Sequence, residues 1–511
     1  MTEKYKKLVD QAEVYDVAIQ TPLERATGLS ARLNNDIWIK REDLQPVHSF
    51  KLRGAYNKIA KLSAVEKEKG VITASAGNHA QGVALAASRL GLKALIVMPK
   101  TTPAIKVSSV KALGAEIELV GNAYDDAYEH AIERANSTGM TFVHPYDDPV
   151  VIAGQGTIAK EILQQLKDES SDHSKQPDIV FVPVGGGGLI AGIAAYLKSV
   201  NPAIRIIGVE PDDAPCMYEA LKAGKRVVLN QVGIFADGVA VKQAGEEPFR
   251  VAQSCVDDMV LVSTDEICAS IKDIFDDTRS ITEPAGALAV AGMKKYVVEK
   301  NINDQLIVAI DSGANINFDR LRHVAERAEL GEHREALFAV TIPEEIGSFR
   351  KFCELIGLRG MTEFNYRYAD EKHAHIFVGI QLQKGLTEKN ELLKSLRNDN
   401  YVVEDMTDNE MAKLHVRYMV GGRGNGVKNE RLFRFEFPER PGALLRFLNY
   451  MGARWNISLF HYRNHGAAYG RVLAGIQVPK EENEALQSFL QNLGYSWWEE
   501  TDNPAYNMFL S

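Results

Sequence analysis

The sequence predicts an α/β protein built on a mainly parallel sheet, followed by two smaller α+β units. Three observations predict it. From Asp36 to about Asn315, short β-branched runs alternate with helical stretches, the pattern of a parallel sheet covered by helices on both faces. Within that region, four consecutive glycines (185–188) stand between an apolar run and an apolar helix. Beyond residue 336 the sequence repeats itself.

The strand-like runs are VITAS (71–75), ALIVMP (94–99), EIELVG (116–121), DIVFVPV (178–184), IRIIGVE (204–210) and LIVAID (306–311). Helical segments such as HAQGVALAASRL (79–90) and LIAGIAAYLKSV (189–200) lie between them. KDESSDHSKQP (167–177) reads as a surface loop before a core strand. The first domain is expected over residues 1–325, and the charge-rich VAERAELGEHREA places a connector at 326–335. FAVTIPEEIGSFRKF (338–352) is then echoed by FRFEFPERPGALLRF (433–447), displaced by 95 residues. EFNYR (363–367) pairs with LFHYR (459–463), and FVGIQL (377–382) with LAGIQV (473–478), both displaced by 96. Two βαββ-like copies are expected, at 336–408 and 431–504, with a joint at 409–430 that contains GGRGNG (421–426).

A chain of 511 residues is too long for one hydrophobic core. Its 45% hydrophobic and 25% charged residues are those of a folded chain, and a net charge of -9 gives no reason to bind nucleic acid or anionic lipid. The charged N-terminus does not suit a secretory signal, and no run approaches the roughly 18–20 apolar residues of a membrane span. Cys216, Cys255, Cys268 and Cys353 are scattered, without a CxxC pair or a nearby His at metal-ligand spacing. Free thiols in a reducing cytoplasm and no metal site are expected.

Four segments carry chemistry. In HSFKLRGA (48–55), Lys51 opens a helix; a lysine that forms Schiff bases must reach an aldehyde, lose its proton near neutral pH and be held still. In ASAGNHAQG (74–82), small residues let the backbone N–H groups of Ser75, Ala76, Gly77 and Asn78 converge on a carboxylate at a helix N-terminus. The Asn78 side chain can also donate to a phenolic oxygen. PVGGGGLIAG (183–192) can fold around a phosphate, but lacks the Lys and Ser/Thr of a P-loop and the GxGxxG spacing. In DSGANINF (311–318), Ser312 is a neutral hydroxyl at a strand's C-terminal end, where α/β sheets place ligands. Taken singly, each has an ordinary reading: a solvated helix lysine, a capped turn, a nucleotide loop, a turn serine.

In this order the four segments resemble the fold-type II pyridoxal-phosphate enzymes, which include serine and threonine dehydratases, serine racemase and the tryptophan synthase β subunit. The resemblance covers about residues 20–320. It implies that Lys51 holds pyridoxal 5'-phosphate as a Schiff base and later takes the substrate's Cα proton. It also implies that Asn78 bonds the cofactor's 3-hydroxyl and that Gly185, Gly186, Gly187, Gly188 and Leu189 bind its phosphate. Ser312 would face the pyridine nitrogen, and Ser75 to Asn78 would hold the substrate carboxylate.

SFKLRGA, SAGNHAQG and EPAGA (283–287) look like the dehydratase branch, and with the repeat the whole chain is similar to the biosynthetic threonine dehydratases. That likeness implies conversion of L-threonine, and of L-serine, by a cytoplasmic homotetramer whose ACT-like modules bind isoleucine as inhibitor and valine as its opponent. For threonine the products would be 2-oxobutanoate and ammonia, in the first committed step toward isoleucine. Tyr366 and Tyr462, at matching positions of the repeat, are candidates to line effector pockets. A serine dehydratase or racemase would not need residues 336–504, and an inactive amino-acid sensor would not need Lys51. Asp311 stands where an apolar strand residue is expected, and strand alternation should point it away from Ser312's side.

Overall fold

The β-branched runs of the first three hundred residues form two parallel sheets, divided as the pairing of their apolar faces requires. The computed structural model describes residues 1–169, 174–367, 372–419, 426–438, 443–451, 454–463, 469–504, 506 and 510. Two compact units result, Met1–Ala328 and Glu329–Ser511.

In the first unit the strands are β1 (Leu23–Arg25), β2 (Asp36–Arg41), β3 (Val71–Ala74), β4 (Ala94–Met98), β5 (Glu116–Leu119), β6 (Thr141–Phe142), β7 (Ile179–Pro183), β8 (Arg205–Pro211), β9 (Asp258–Val262) and β10 (Leu306–Asp311). The larger sheet runs β1-β2-β10-β7-β8-β9, parallel except for the β1–β2 pair. The smaller runs β5-β4-β3-β6 and is wholly parallel. β3, β4 and β7 are buried at every position, because helices cover both faces and leave no polar side to alternate with.

The helix that begins with Lys51 (Lys51–Ala60) packs on the long helix Pro149–Asp168 through glycines. A Cβ on Gly154 would lie 2.7 Å from the Arg53 carbonyl oxygen, and one on Gly54 would lie 2.7 Å from that of Val151. The long helix starts cleanly, since the Asp148 side chain accepts from the Val150 and Val151 amides and Pro149 sits at its first position. It runs two residues, Lys167 and Asp168, into the segment expected to be a loop; residues 170–173 of that segment lie outside the described residues.

The expected connector is regular structure. A helix, Arg320–Gly331, runs through its first half, and β11 begins at Glu335. The alanines, glutamates and arginines read as a solvated linker are strong helix formers, and Val324 and Ala328 are buried beside β10 and the helix Pro284–Lys300.

In the second unit each repeat adds a second helix and a fourth strand to the expected βαββ plan. The first copy holds β11 (Glu335–Pro343), β12 (Met361–Arg367), β13 (His373–Gln381) and β14 (Val402–Asp405); the second holds β15 (Glu430–Pro438), β16 (Asn456–Arg463), β17 (Tyr469–Gln477) and β18 (Ser496–Glu499). All eight form one antiparallel sheet, β14-β11-β13-β12-β16-β17-β15-β18. The copies meet at β12 and β16, where Asn365 lies opposite His461, its own repeat equivalent. A single aromatic core underlies the join, with Phe364 edge-on to Phe460 at 5.7 Å. Residues 420–425, which take in most of GGRGNG, lie outside the described residues, and the expected joint before them holds a short helix, Glu410–Leu414.

Candidate active site

Lys51 is the first residue of its helix, capped by Phe50 without a side-chain hydrogen bond. Its Nζ donates to the Pro145 carbonyl at 3.3 Å. Burial pulls the amine down to about 8, and the charge of Glu283 only partly offsets this. Such an amine gives up its proton near neutrality far more readily than an ordinary lysine, as a nucleophile and base must.

The residue two places on anchors that helix. Arg53 donates to Glu42 and to Glu161, Lys40 donates to Glu161 at 2.6 Å, and Thr21 donates to Glu42 at 2.6 Å, all of them buried. Two cations face two carboxylates, so the cluster is neutral as a set. Sequence reasoning passed over Arg53, although the charged run at the end of β2 and just beyond it (KRED, 40–43), after an apolar stretch, was a signal of buried pairing.

After β3 the chain turns, Ser75 Oγ accepting from the Gly77 amide at 3.3 Å, and a helix begins at Asn78. A Cβ built on Gly77 meets open space. Asn78 Nδ2 donates to Glu283 Oε1 at 2.6 Å, while its Oδ1 accepts from Asn315 Nδ2 at 2.6 Å. The smaller sheet's helix is thereby tied to two segments of the larger sheet, and Asn78 keeps one N–H free of these bonds. Glu283, buried beside Asp237, is pushed up to about 7.

Two histidines flank the amine, and both are neutral. Burial lowers His79 to about 3 and His144 to about 4. His79 Nε2 donates to the Val143 carbonyl at 2.9 Å, and His144 Nδ1 accepts from the Asp147 amide at 2.8 Å. These bonds shape the 143–147 segment that carries Lys51's carbonyl partner.

The glycine run follows β7, with Gly187 at φ +93° capping a helix that begins at Gly188 and continues through Leu189. No side chain caps it, so the first-turn N–H groups offer the positive end of the helix dipole to an anion. The run also has a packing cause that the sequence did not reveal. A Cβ on Gly186 would lie 2.3 Å from ring carbons of Tyr146, and one on Gly185 would lie 2.9 Å from the Val239 Cα. Behind the run, the Cys216 thiol donates to the Gly185 carbonyl at 3.4 Å, and Glu210 takes the Met217 and Tyr218 amides.

Ser312 is buried, its Oγ donating to the Ala285 carbonyl at 3.4 Å. Asp311 is buried too, and its carboxyl reaches the same 282–286 segment. Its Oδ1 accepts from Thr282 Oγ1 at 2.6 Å, and burial with the nearby charge of Asp43 holds its carboxyl well above the usual range.

These groups fit pyridoxal phosphate: a buried amine for its aldehyde, an uncapped helix start for its phosphate and a neutral hydroxyl for its ring nitrogen. Among the described residues the buried Ser49 Oγ, in a β-bridge with Gly313, has no hydrogen-bond partner. Residues 14–313 match the family of pyridoxal-phosphate dependent enzymes, and residues 326–416 and 421–510 match the C-terminal regulatory domain of threonine dehydratase. The chain is 56% identical over 510 residues to the biosynthetic L-threonine dehydratase of Burkholderia multivorans, covering 99% of each. The chain belongs to the biosynthetic threonine dehydratase family.

Identity to the family's Escherichia coli member is 55% over 508 residues, 99% of this chain and 97% of that one. Among solved structures, the processed threonine deaminase isoform 2 of Solanum lycopersicum matches at TM-score 0.62 and 51% identity, covering 64% of this chain and 88% of that one. Maize serine racemase matches at TM-score 0.58 and 30% identity, covering 65% of this chain and 98% of that one. The catalytic fold is therefore shared with racemases, and the full-length match with its regulatory domain separates this dehydratase from them. Among the described residues no helix is long and apolar enough to cross a membrane.

The second unit of this threonine dehydratase contains a small, solvent-open cavity between its two copies. The first copy contributes Glu344, Phe349, Arg350 and Tyr366; the second contributes Met451 and Asn456. Glu344 accepts from Tyr366 Oη at 2.7 Å and from Asn456 Nδ2 at 2.9 Å. Tyr462 does not line this cavity and packs, half-buried, against the aromatic core. The corresponding turn of the second copy, 439–442, lies outside the described residues.

Proposed function

We propose that the Lys51 site acts as a threonine ammonia-lyase, dehydrating and deaminating L-threonine to 2-oxobutanoate and ammonia, with L-serine as a second substrate. The observation that carries this reading is a buried amine, lowered to about 8, set among the helix starts at Asn78 and Gly188. Pyridoxal phosphate, when bound, supplies an electrophilic ring that draws charge from the substrate's Cα.

The chain's residues do the rest. The N–H groups of Ser75 to Asn78 hold the substrate carboxylate at a helix N-terminus. Asn78 would bond the cofactor's 3-hydroxyl with its remaining N–H, and Gly185 to Leu189 would hold the phosphate. Ser312, a neutral hydroxyl, would not hold the ring nitrogen protonated as a carboxylate would, which suits prompt loss of the β-hydroxyl. Lys51 would be the base that takes the Cα proton. We take the catalytic part as 1–325 and the two ACT-like copies as 336–408 and 431–504.

The second unit is read as the sensor for isoleucine as inhibitor and valine as its opponent, in a cytoplasmic homotetramer. The cavity at Glu344 supports it, because a carboxylate suits an ammonium group, Arg350 a carboxylate, and Phe349 and Met451 a branched aliphatic side chain. An inhibitor acts only through unequal affinity for two states, and tenfold corresponds to about 1.4 kcal/mol. The test is threonine saturation with and without isoleucine in the wild type and in Glu344→Gln. Isoleucine should raise the threonine concentration needed for half-maximal rate, and the variant should need roughly tenfold more isoleucine. Absence of any isoleucine effect on the wild type would leave the second unit as an assembly module.

A further inference from the structure

Glu283 stands at the start of the helix Pro284–Lys300 and is 3% exposed. Its backbone N–H donates to the Gly313 carbonyl at 3.0 Å, fixing the residue to the segment after β10. Its Oε1 accepts from Asn78 Nδ2 at 2.6 Å and is wedged between glycines. A Cβ on Gly313 would lie 2.9 Å from that oxygen, and one on Gly238 would lie 3.4 Å from it. The carboxyl thus has one defined place, and the amide of Asn78 is oriented from both sides, by Glu283 and by Asn315, which also donates to the Val47 carbonyl at 2.8 Å.

The same carboxyl acts on the catalytic amine. Around Lys51 its charge supports the protonated amine, against burial. The other titratable neighbours, His79 and His144, are neutral at working pH. Facing Glu283 itself are Lys51, Asp237 and, from the helix Ala104–Ala112, Lys106, which is paired with Asp237 at 2.7 Å. No mechanistic step given above uses Glu283.

We propose that Glu283 is a positioning residue with two separable actions: its oxygen locks the Asn78 amide in the orientation the cofactor meets, and its carboxylate is the buried counter-charge to the Lys51 amine. The proposal rests on Lys51 being the cofactor-bearing amine, and the experiment tests the two separately. Glutamine at 283 keeps an oxygen for Asn78 but has no charge. Aspartate keeps the charge but is one methylene too short to reach.

Full-length protein freed of cofactor is mixed with pyridoxal phosphate across pH 6 to 10, following visible absorbance for the uptake rate and titrating for affinity. Wild-type uptake should rise with a midpoint near about 8. Glu283→Gln should move that midpoint down by about one pH unit or more, with affinity at pH 9 within roughly threefold of wild type. Glu283→Asp should keep the midpoint and lose roughly tenfold or more in affinity. Circular dichroism checks folding, and if one variant fails to fold the other carries the test. An unmoved midpoint in Glu283→Gln, or full affinity in Glu283→Asp, overturns the proposal. If Lys51→Ala takes up cofactor like the wild type, the reading of Lys51 itself has failed instead.

Discussion

Arg53 meets Glu42 through two parallel hydrogen bonds, Nε to Oε2 at 2.7 Å and Nη2 to Oε1 at 2.8 Å, with neither side chain exposed to water. Removing one member of such a set strands the other's charge in a low-dielectric interior. Arg53→Ala should therefore destabilise the first unit by about 3–5 kcal/mol and weaken cofactor binding through the helix that starts at Lys51. Urea unfolding measures the first effect; a loss below about 1 kcal/mol would show that the cluster is merely tolerated.

Lys51→Ala should leave a folded protein without the visible absorbance of bound cofactor. Turnover should fall by roughly a hundred- to ten-thousand-fold or more. Near-normal turnover in this variant would remove Lys51 from the chemistry.

Gly77 and Gly186 should behave oppositely. A methyl on Gly77 enters open space, so Gly77→Ala should change stability by no more than about 0.5 kcal/mol while raising KM for threonine. Gly186→Ala drives its methyl into the Tyr146 ring and should cost both stability and cofactor affinity. Adding Tyr146→Ala should recover part of the stability, and strict additivity in that double-mutant cycle would refute the packing account.

Stability of the first unit should fall as pH rises from about 5 to about 8. Burial pushes Glu210 up to about 8 from its ordinary value near 4.5, so the folded state holds a proton that the unfolded state has already released. Folding is favoured below the unfolded value, and that stability is lost on the way up to the folded one. Thermal unfolding of the full-length protein across this range should show the slope, and Glu210→Gln should flatten it. A slope of the same size in the variant would assign the effect to other groups, of which Glu283 and Asp311 share the direction.

What the sequence made legible was local. β10 spans the LIVAID run, the helix opening at Lys51 begins where the motif placed it, and the glycine run does join a buried strand to a helix. These depend on spacing within ten residues or so, which side-chain period and turn chemistry encode directly. The partnerships did not show. Asn78 finds Glu283 across 205 residues and Arg53 finds Glu161 across 108, and no periodicity reports such pairs. The short β6, two residues long, is too brief to alternate, and β14 and β18 are held by pairing to β11 and β15 rather than by their own pattern. The helix Arg320–Gly331 was hidden by its charges, although its composition favoured a helix throughout.

The pairing of Asn365 with His461 has a historical and a mechanical consequence. Strands that cross at their own equivalents are related by a two-fold axis, which is how two identical subunits make an isologous contact. The second unit is thus a homodimer written as one chain. Neither half needs to leave a long edge strand open to strangers, because the partner that covers it is tethered to it, at an effective concentration on the order of millimolar. Fusion also frees the halves from having to remain identical. Arg350 stands in one where Leu445 stands in the other, so a single symmetric frame carries two chemically distinct faces. A true dimer could acquire that asymmetry only by pairing different gene products.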